Sequence, residues 1–352
     1  MVALSKTDSL SPRNPTVRLG YLPLIDSAPI LVAREKGLFS KHGIEVATSS
    51  QPGWATVREK LVHSELDAAQ CLGPLALAIH HGIGTTSRDM IVPLILNANG
   101  NGITLANEIP REIFNIEGGL LSFLENEWDK DRPLTLASVH PCSSHHALLM
   151  QWLRQQRVVE HSKLSVISLP PQLMARNLEH GHIDGFCVGE PWNSAIALNG
   201  TGYCLTTSVD LSNGHPEKVL ATTRSFAERH PIALHSLTLA LLEACKYCQD
   251  SSNRSELIEI LSTEPGLKGV RDSLHNSLSG DFQPSTEQAN RFLPDFHIFH
   301  NEKINAPSIE AYSWLRDGLR QSGLLTQEHP LNNDSIFRMD LFENAQTQIN
   351  TL

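Results

Sequence analysis

From Val17 onward the chain alternates short apolar runs with stretches whose apolar positions recur every three to four residues, the respective signatures of strand and helix. Residues 17–22 predict a strand. Residues 28–36 predict a helix stopped by Gly37, where a left-handed conformation is cheap for glycine. A strand over 44–48 follows, then a helix over 54–63 with Val57, Leu61 and Val62 on its inner side. The unit repeats as a strand over 68–72, a helix over 74–81 and a strand over 91–97. A second set comprises strands over 134–139, 164–168 and 183–188, separated by helices near 145–154 and 173–180. After Lys218 the pattern is chiefly helical, over 232–248, 255–261 and 306–321.

Alternation of this kind implies mostly parallel sheets covered by helices. The expected fold is α/β, with two lobes joined by two chain crossings. The boundaries read as a short segment over 1–16, one discontinuous lobe over 17–106 and 221–352, and a second lobe over 107–220.

Within the second set, Gly185-Phe-Cys-Val-Gly-Glu-Pro-Trp-Asn193 ends an apolar run at Gly189 and places Pro191 at the first position of a new helix. Proline suits a helix start because its missing N–H has no helical partner there. Ligands in open α/β sheets gather at the carboxyl ends of strands, so this corner is either a purely structural turn or one wall of a pocket.

Composition narrows the function. The 352 residues suit about two domains of ~150 residues each. The net charge of −10 and the lack of any Lys or Arg run argue against a nucleic-acid groove. No apolar run approaches the roughly 20 residues a membrane span needs. Residues 1–16 are rich in Ser, Pro and Asn and lack the apolar block of about 7–15 residues of a secretory signal, which predicts a cytoplasmic location. The six cysteines then read as free thiols. Cys245 and Cys248 are separated by two residues but lie on a helical pattern with no second pair to complete a zinc site.

Neither a phosphate loop, a nucleophile elbow, a zinc-binding His-Glu-x-x-His nor a dinucleotide fingerprint is present. Adjacent histidines at 80–81 and 145–146 diverge on a helix, so no metal and no cofactor is expected. What remains are donors suited to a small anion. Ser143 and Ser144 open a helix whose unpaired N–H groups and partial positive charge favour an anion; equally, they serve as caps and His145 packs against a neighbour. Trp54 follows Gly53 at another helix start, available to a cleft or to the core.

The stretch 185–193, together with Pro170-Pro-Gln172 before it and His215-Pro-Glu-Lys218 after it, resembles the nitrate and bicarbonate binding proteins of the ABC-transporter nitrate family, NrtA and CmpA. The likeness runs from about Val17 to the low 260s. It implies a type II periplasmic-binding-protein fold with the ligand in a hinged cleft, and no enzymatic activity. By the same resemblance Trp54, His145 and Lys218 contact the ligand, with backbone N–H groups at Ala55 or Thr56, and Asn101 and Gly102 supply a further wall. Asn101 stands where the nitrate binder has glutamine, so its amide lies one methylene, roughly 1.5 Å, further back. The bicarbonate binder has glutamate where this chain has Lys218, and that contrast favours a nitrogen oxyanion.

Nitrate has three acceptor oxygens and no proton, so the expected site offers donors only. Pyrimidine synthases of thiamine-precursor metabolism share the superfamily fold, but their cysteine cluster is not reproduced here. With no export segment read from the sequence, the resemblance extends to cytoplasmic nitrate and nitrite sensors of the NasS type. It implies, as partner in the anion-free state, an RNA-binding antiterminator (NasT-like, ANTAR-type), released when the anion binds. The alternative expectation is the substrate-binding subunit of an ABC-type nitrate transporter.

Overall fold

The structure is a computed structural model that describes residues 15–301, 303–326 and 336–351. The segment expected over 1–16 therefore falls almost wholly outside the described residues. The chain builds two α/β lobes around two main sheets.

In the first lobe, strands β1 (Val17–Tyr21), β2 (Val46–Ser50), β3 (Ala68–Leu72) and β4 (Met90–Asn99) come from the N-terminal third. The second lobe contains β5 (Asn101–Ala106), β6 (Leu134–Ser138), β7 (Leu164–Ser168), β8 (Gly185–Gly189) and β9 (Gly202–Thr207). The chain then returns through β10 (Pro216–Thr223) to the first sheet. The hairpin of β11 (Asp281–Phe282) and β12 (Arg291–Phe292) follows, and β13 (His297–Ile298) comes last. The first sheet has the order β13-β4-β10-β3-β1-β2 and the second β7-β6-β8-β5-β9.

The strands read from their apolar runs are present, since runs such as Ala68–Leu72 and Met90–Asn99 are buried along their whole length. Six strands were not anticipated. β5, β9, β10 and β13 make the antiparallel pairings of the two main sheets, with β5 between β8 and β9 and β10 between β3 and β4, and β11 and β12 form the separate hairpin. The lobe boundaries consequently differ from the expected ones after Ala106 and before Ala221: β5 already belongs to the second sheet and β10 to the first.

The first crossing occurs at Asn99 and Gly100, both with positive φ (61° and 85°). This conformation is open to asparagine and glycine at low cost, and it turns the extended chain from one sheet into the other. The return crossing passes through Gly214, with φ of 78°. The side chain of Asn99 clasps the two together: its Nδ2 donates to Asn213 Oδ1 (3.0 Å) and to Asp295 O (2.9 Å), and its Oδ1 accepts from the Gly214 N–H (2.8 Å).

Further crossings follow in the C-terminal third, against the expectation of two. The helix Arg271–Leu278 attaches to the second lobe through Asn276, whose Nδ2 donates to Ser194 Oγ (3.0 Å), before β13 rejoins β4. The helix Ile309–Gln321 then bridges the lobes. Its Leu315 packs on Gly73 of the first lobe, where a Cβ would lie within 2.6 Å, and its Gly318 faces Ala147 of the second. The helix Pro231–Gln249 buries Cys245 and Cys248 in the core of the first lobe.

Candidate functional site

The cleft between the lobes is shut. Trp54 is 2 % exposed, Asp26 4 %, and His145, Glu217 and Lys218 0 %. Charged side chains are almost never enclosed without partners, so their contacts decide what the chamber can do.

Each comes from the end of an element. Lys218 lies early in β10. Its Nζ is 2.6 Å from Asp26 Oδ2 and 2.5 Å from Glu217 Oε1, and it sits 5.4 Å from the centre of the Trp54 ring. Asp26 occupies the short turn Ile25–Ser27 before the first helix, and its Oδ1 accepts from Gln70 Nε2 (2.6 Å). Glu217 accepts from Asn101 Nδ2 (2.7 Å), from Ser144 Oγ and, at 3.1 Å, faces His215 Nε2. Ser143 caps the helix Ser144–Gln155 by accepting from the His146 N–H, which presents Ser144 and His145 to the cleft. The negative group near this helix start is thus the protein's own Glu217.

Adjacent residues of a regular strand point to opposite faces, yet Glu217 and Lys218 meet. The register of β10 against β4 shifts between Pro216 and Lys218 and again between Lys218 and Val219. This irregularity turns both side chains toward the cleft, as bulges do.

Three polar atoms converge where β8 ends. A Cβ placed on Gly189 would lie 3.4 Å from Asp26 Oδ2, 3.5 Å from Asn101 Oδ1 and 3.5 Å from His145 Nε2. Among the described residues, Asn101 Oδ1, both ring nitrogens of His145 and Trp54 Nε1 have no hydrogen-bond partner. Buried polar atoms without partners cost free energy, and Asn101 Oδ1 and His145 Nε2 are two such atoms that meet beside one glycine.

The electrostatics follow from two carboxylates sharing one ammonium. Burial alone would lower the Lys218 pKa, but Asp26 and Glu217 more than offset it and raise it above the ordinary lysine value. Burial opposes ionisation of Glu217 too, yet Lys218, His145 and His215 hold it well below the usual range. Asp26 goes the other way: burial raises its pKa, Lys218 pulls it back, and Glu217 adds to the rise. His145 is pushed down to about 3 by burial, against the pull of Glu217 and with the help of Lys218, so its imidazole is neutral.

Several expectations need correction. The site is not made of donors only, because Asp26, Glu217 and Asn101 Oδ1 are acceptors. Asn101 Nδ2, expected to reach the ligand, is committed to Glu217. The Thr56 N–H donates to Gly53 O (3.1 Å), and Ala55 is exposed. Gly102 faces the other way, against Asn193 and Cys204. Trp54, Asn101, His145 and Lys218 do come together. Pro191, expected inside its helix, precedes it, and the Glu190–Pro191 peptide is cis.

Comparison with known proteins places this geometry. Residues 11–262 match the model of the NMT1-like family. The chain belongs to that family. Members resembling it include the nitrate import ATP-binding protein NrtC of Synechocystis sp. strain PCC 6803, 34 % identical over 93 % of this chain and 49 % of NrtC. The nitrate/nitrite binding protein NrtA of Synechococcus elongatus is 31 % identical over 75 % of this chain and 62 % of NrtA. The chain spans about half the length of the ATP-binding relatives it matches. The crystal structure of the periplasmic nitrate-binding protein NrtA from Synechocystis superposes with a TM-score of 0.88 at 26 % identity, covering 97 % of this chain and 91 % of the other. The fold is therefore periplasmic-binding-protein-like, as expected from the resemblance.

Proposed function

We propose that the chain is a substrate-binding module for a small oxyanion, nitrate or nitrite, working with an ABC-type importer. The observation that carries this reading is the convergence of Asp26, Asn101 and His145 on Gly189 beside the buried Lys218. In the shut cleft a methyl group on that glycine would already meet its neighbours at 3.4–3.5 Å, so an oxyanion is accommodated there as the lobes part. Lys218 Nζ and the Trp54 indole N–H supply donors to it, as does neutral His145 in the tautomer that carries its proton on Nε2. The relatives point the same way, since they are proteins of nitrate or bicarbonate binding and import. The relatives named above are binding or import proteins, so the reading as a sensor of an antiterminator rests on the sequence resemblance alone and ranks second.

Titration calorimetry with nitrate, nitrite and bicarbonate tests the ligand. Nitrate should bind with one equivalent per chain and raise the melting temperature by mass action. Heat from bicarbonate alone would transfer the chain to the bicarbonate branch. A nitrate-sensitive complex with an antiterminator would restore the sensor reading.

A further inference from the structure

Given the function proposed above, we propose that Asp26 takes up a proton when nitrate enters the cleft, so that the anion and the proton bind together. The inference starts from a charge count. The groups facing the chamber are Asp26 on its turn, Glu217 and Lys218 on β10, and neutral His145 at its helix start. With both carboxylates ionised and the imidazole of His215 uncharged, these carry one net negative charge. His215 faces Glu217 Oε2 at 3.1 Å, while Lys218 meets the other oxygen, Oε1. The backbone carbonyl of Glu190 accepts from the Ile25 N–H at 3.0 Å, and its carboxylate accepts from the Ser194 N–H. A second anion placed inside a closed site of negative charge meets repulsion at low dielectric.

Hydrogen bonding gives the same result independently. Nitrate only accepts, while Asp26 Oδ2, one of the three atoms converging on Gly189, also only accepts when ionised. A proton on Oδ2 converts that atom into a donor toward the anion. It also releases the Lys218 N–H that Oδ2 occupies at 2.6 Å, leaving Glu217 to keep the ammonium charged from 2.5 Å.

Asp26 is the group able to take the proton. Glu217 is surrounded by Ser144, Asn101, His215 and Lys218, all of which favour its ionised form, whereas among the described residues Asp26 is held by Lys218 and Gln70. The rise of the Asp26 pKa through burial agrees with this assignment. An oxyanion that carries its own O–H would bring the proton with it and donate it to ionised Oδ2. Nitrate must draw it from solvent.

The test is calorimetry of nitrate binding in two buffers of different ionisation enthalpy, repeated from about pH 6 to about pH 9. As Asp26 becomes ionised in the free protein, proton uptake should approach one per nitrate, and affinity should fall about tenfold per pH unit. Infrared difference spectra should gain the C=O stretch of a protonated carboxyl on nitrate addition. Asp26→Asn should bind nitrate with no proton uptake and with an affinity that no longer varies with pH. Nitrate binding with zero uptake across the range would overturn the proposal. So would an Asp26→Asn protein that still takes up the proton, which would move it to His145 or His215. If Asp26→Asn does not fold, the native protein's proton count and infrared signature decide by themselves. Absence of any nitrate binding would instead sink the functional reading on which the inference rests.

Discussion

Glu217 and Glu190 are both fully enclosed carboxylates at the mouth of one cleft, yet they stand in opposite states. Glu217 has an ammonium, an amide, a hydroxyl and an imidazole around it and is held well below the usual carboxylate range. Among the described residues Glu190 has no ion-pair partner. Its Oε2 accepts from the Ser194 N–H (3.1 Å), its Oε1 has no geometrically satisfactory partner among the described residues, and burial pushes its pKa up to about 7 in spite of hydrogen bonding from Ser277 and Ser194. Burial penalises both alike. The difference lies in the number and charge of the donors, and it shows that enclosure alone does not tell whether an acid is ionised.

Four changes break or sharpen that contrast. The largest effect should come from Lys218→Met, which strands Asp26 and Glu217 as uncompensated buried charges. A loss of about 3–5 kcal/mol is expected, measured by urea unfolding at neutral pH, together with loss of nitrate heat. A loss under about 1 kcal/mol would show that Lys218 is not the counter-charge of the site.

Glu217→Gln comes next, at about 2–3 kcal/mol, because hydrogen bonds to a charged group are lost or weakened. The folded-state pKa of Glu217 lies below the ordinary 4.5, so its contribution is present above pH 4.5 and is lost as pH falls below that. The variant and the native protein should therefore converge in acid, and a gap that widened there would contradict the assignment.

Glu190→Gln should have the opposite sign. A folded-state pKa near 7 against an ordinary 4.5 means that the contribution of Glu190 is fully present below pH 4.5 and lost as pH rises toward 7. The glutamine variant should accordingly be more stable than the native protein at pH 8, by about 2 kcal/mol, with little difference at pH 4. Equal stability curves at both pH values would mean that Glu190 finds a donor on ionising.

The smallest effect on stability belongs to Gly189→Ala. Its added methyl would sit at 3.4–3.5 Å from its neighbours, ordinary contact, so stability should change by under about 0.5 kcal/mol. Nitrate affinity should nevertheless fall at least tenfold, because the methyl occupies the guest's place. Calorimetry separates the two readouts, and unchanged affinity would move the ligand away from β8.

Much of the fold was legible because the parallel strands each begin on or contain a short apolar run and each is followed by a periodic helix. The antiparallel strands were not. β5 continues from β4 with only Gly100 between them, and the sequence of β10, Pro-Glu-Lys-Val-Leu-Ala-Thr-Thr, carries two charges in a buried strand. Within the site, His145 and Lys218 were marked by resemblance, not by pattern. Glu217 was hidden because strict alternation puts it on the face opposite Lys218, and only the register shift in β10 undoes that. Asp26 reads locally as a polar residue ahead of a helix, and its role depends on Lys218, nearly two hundred positions away in the chain.

The complete enclosure of Lys218 and His145 has a kinetic consequence. An anion can neither reach nor leave these groups until the lobes part, so the residence time of the guest is bounded by the lobes' opening rate. That motion runs through the crossings clasped by Asn99 and through the helix Ile309–Gln321 fastened to both lobes. Two variants with identical pockets and different hinges would then share contacts with the anion and yet differ in how long they keep it.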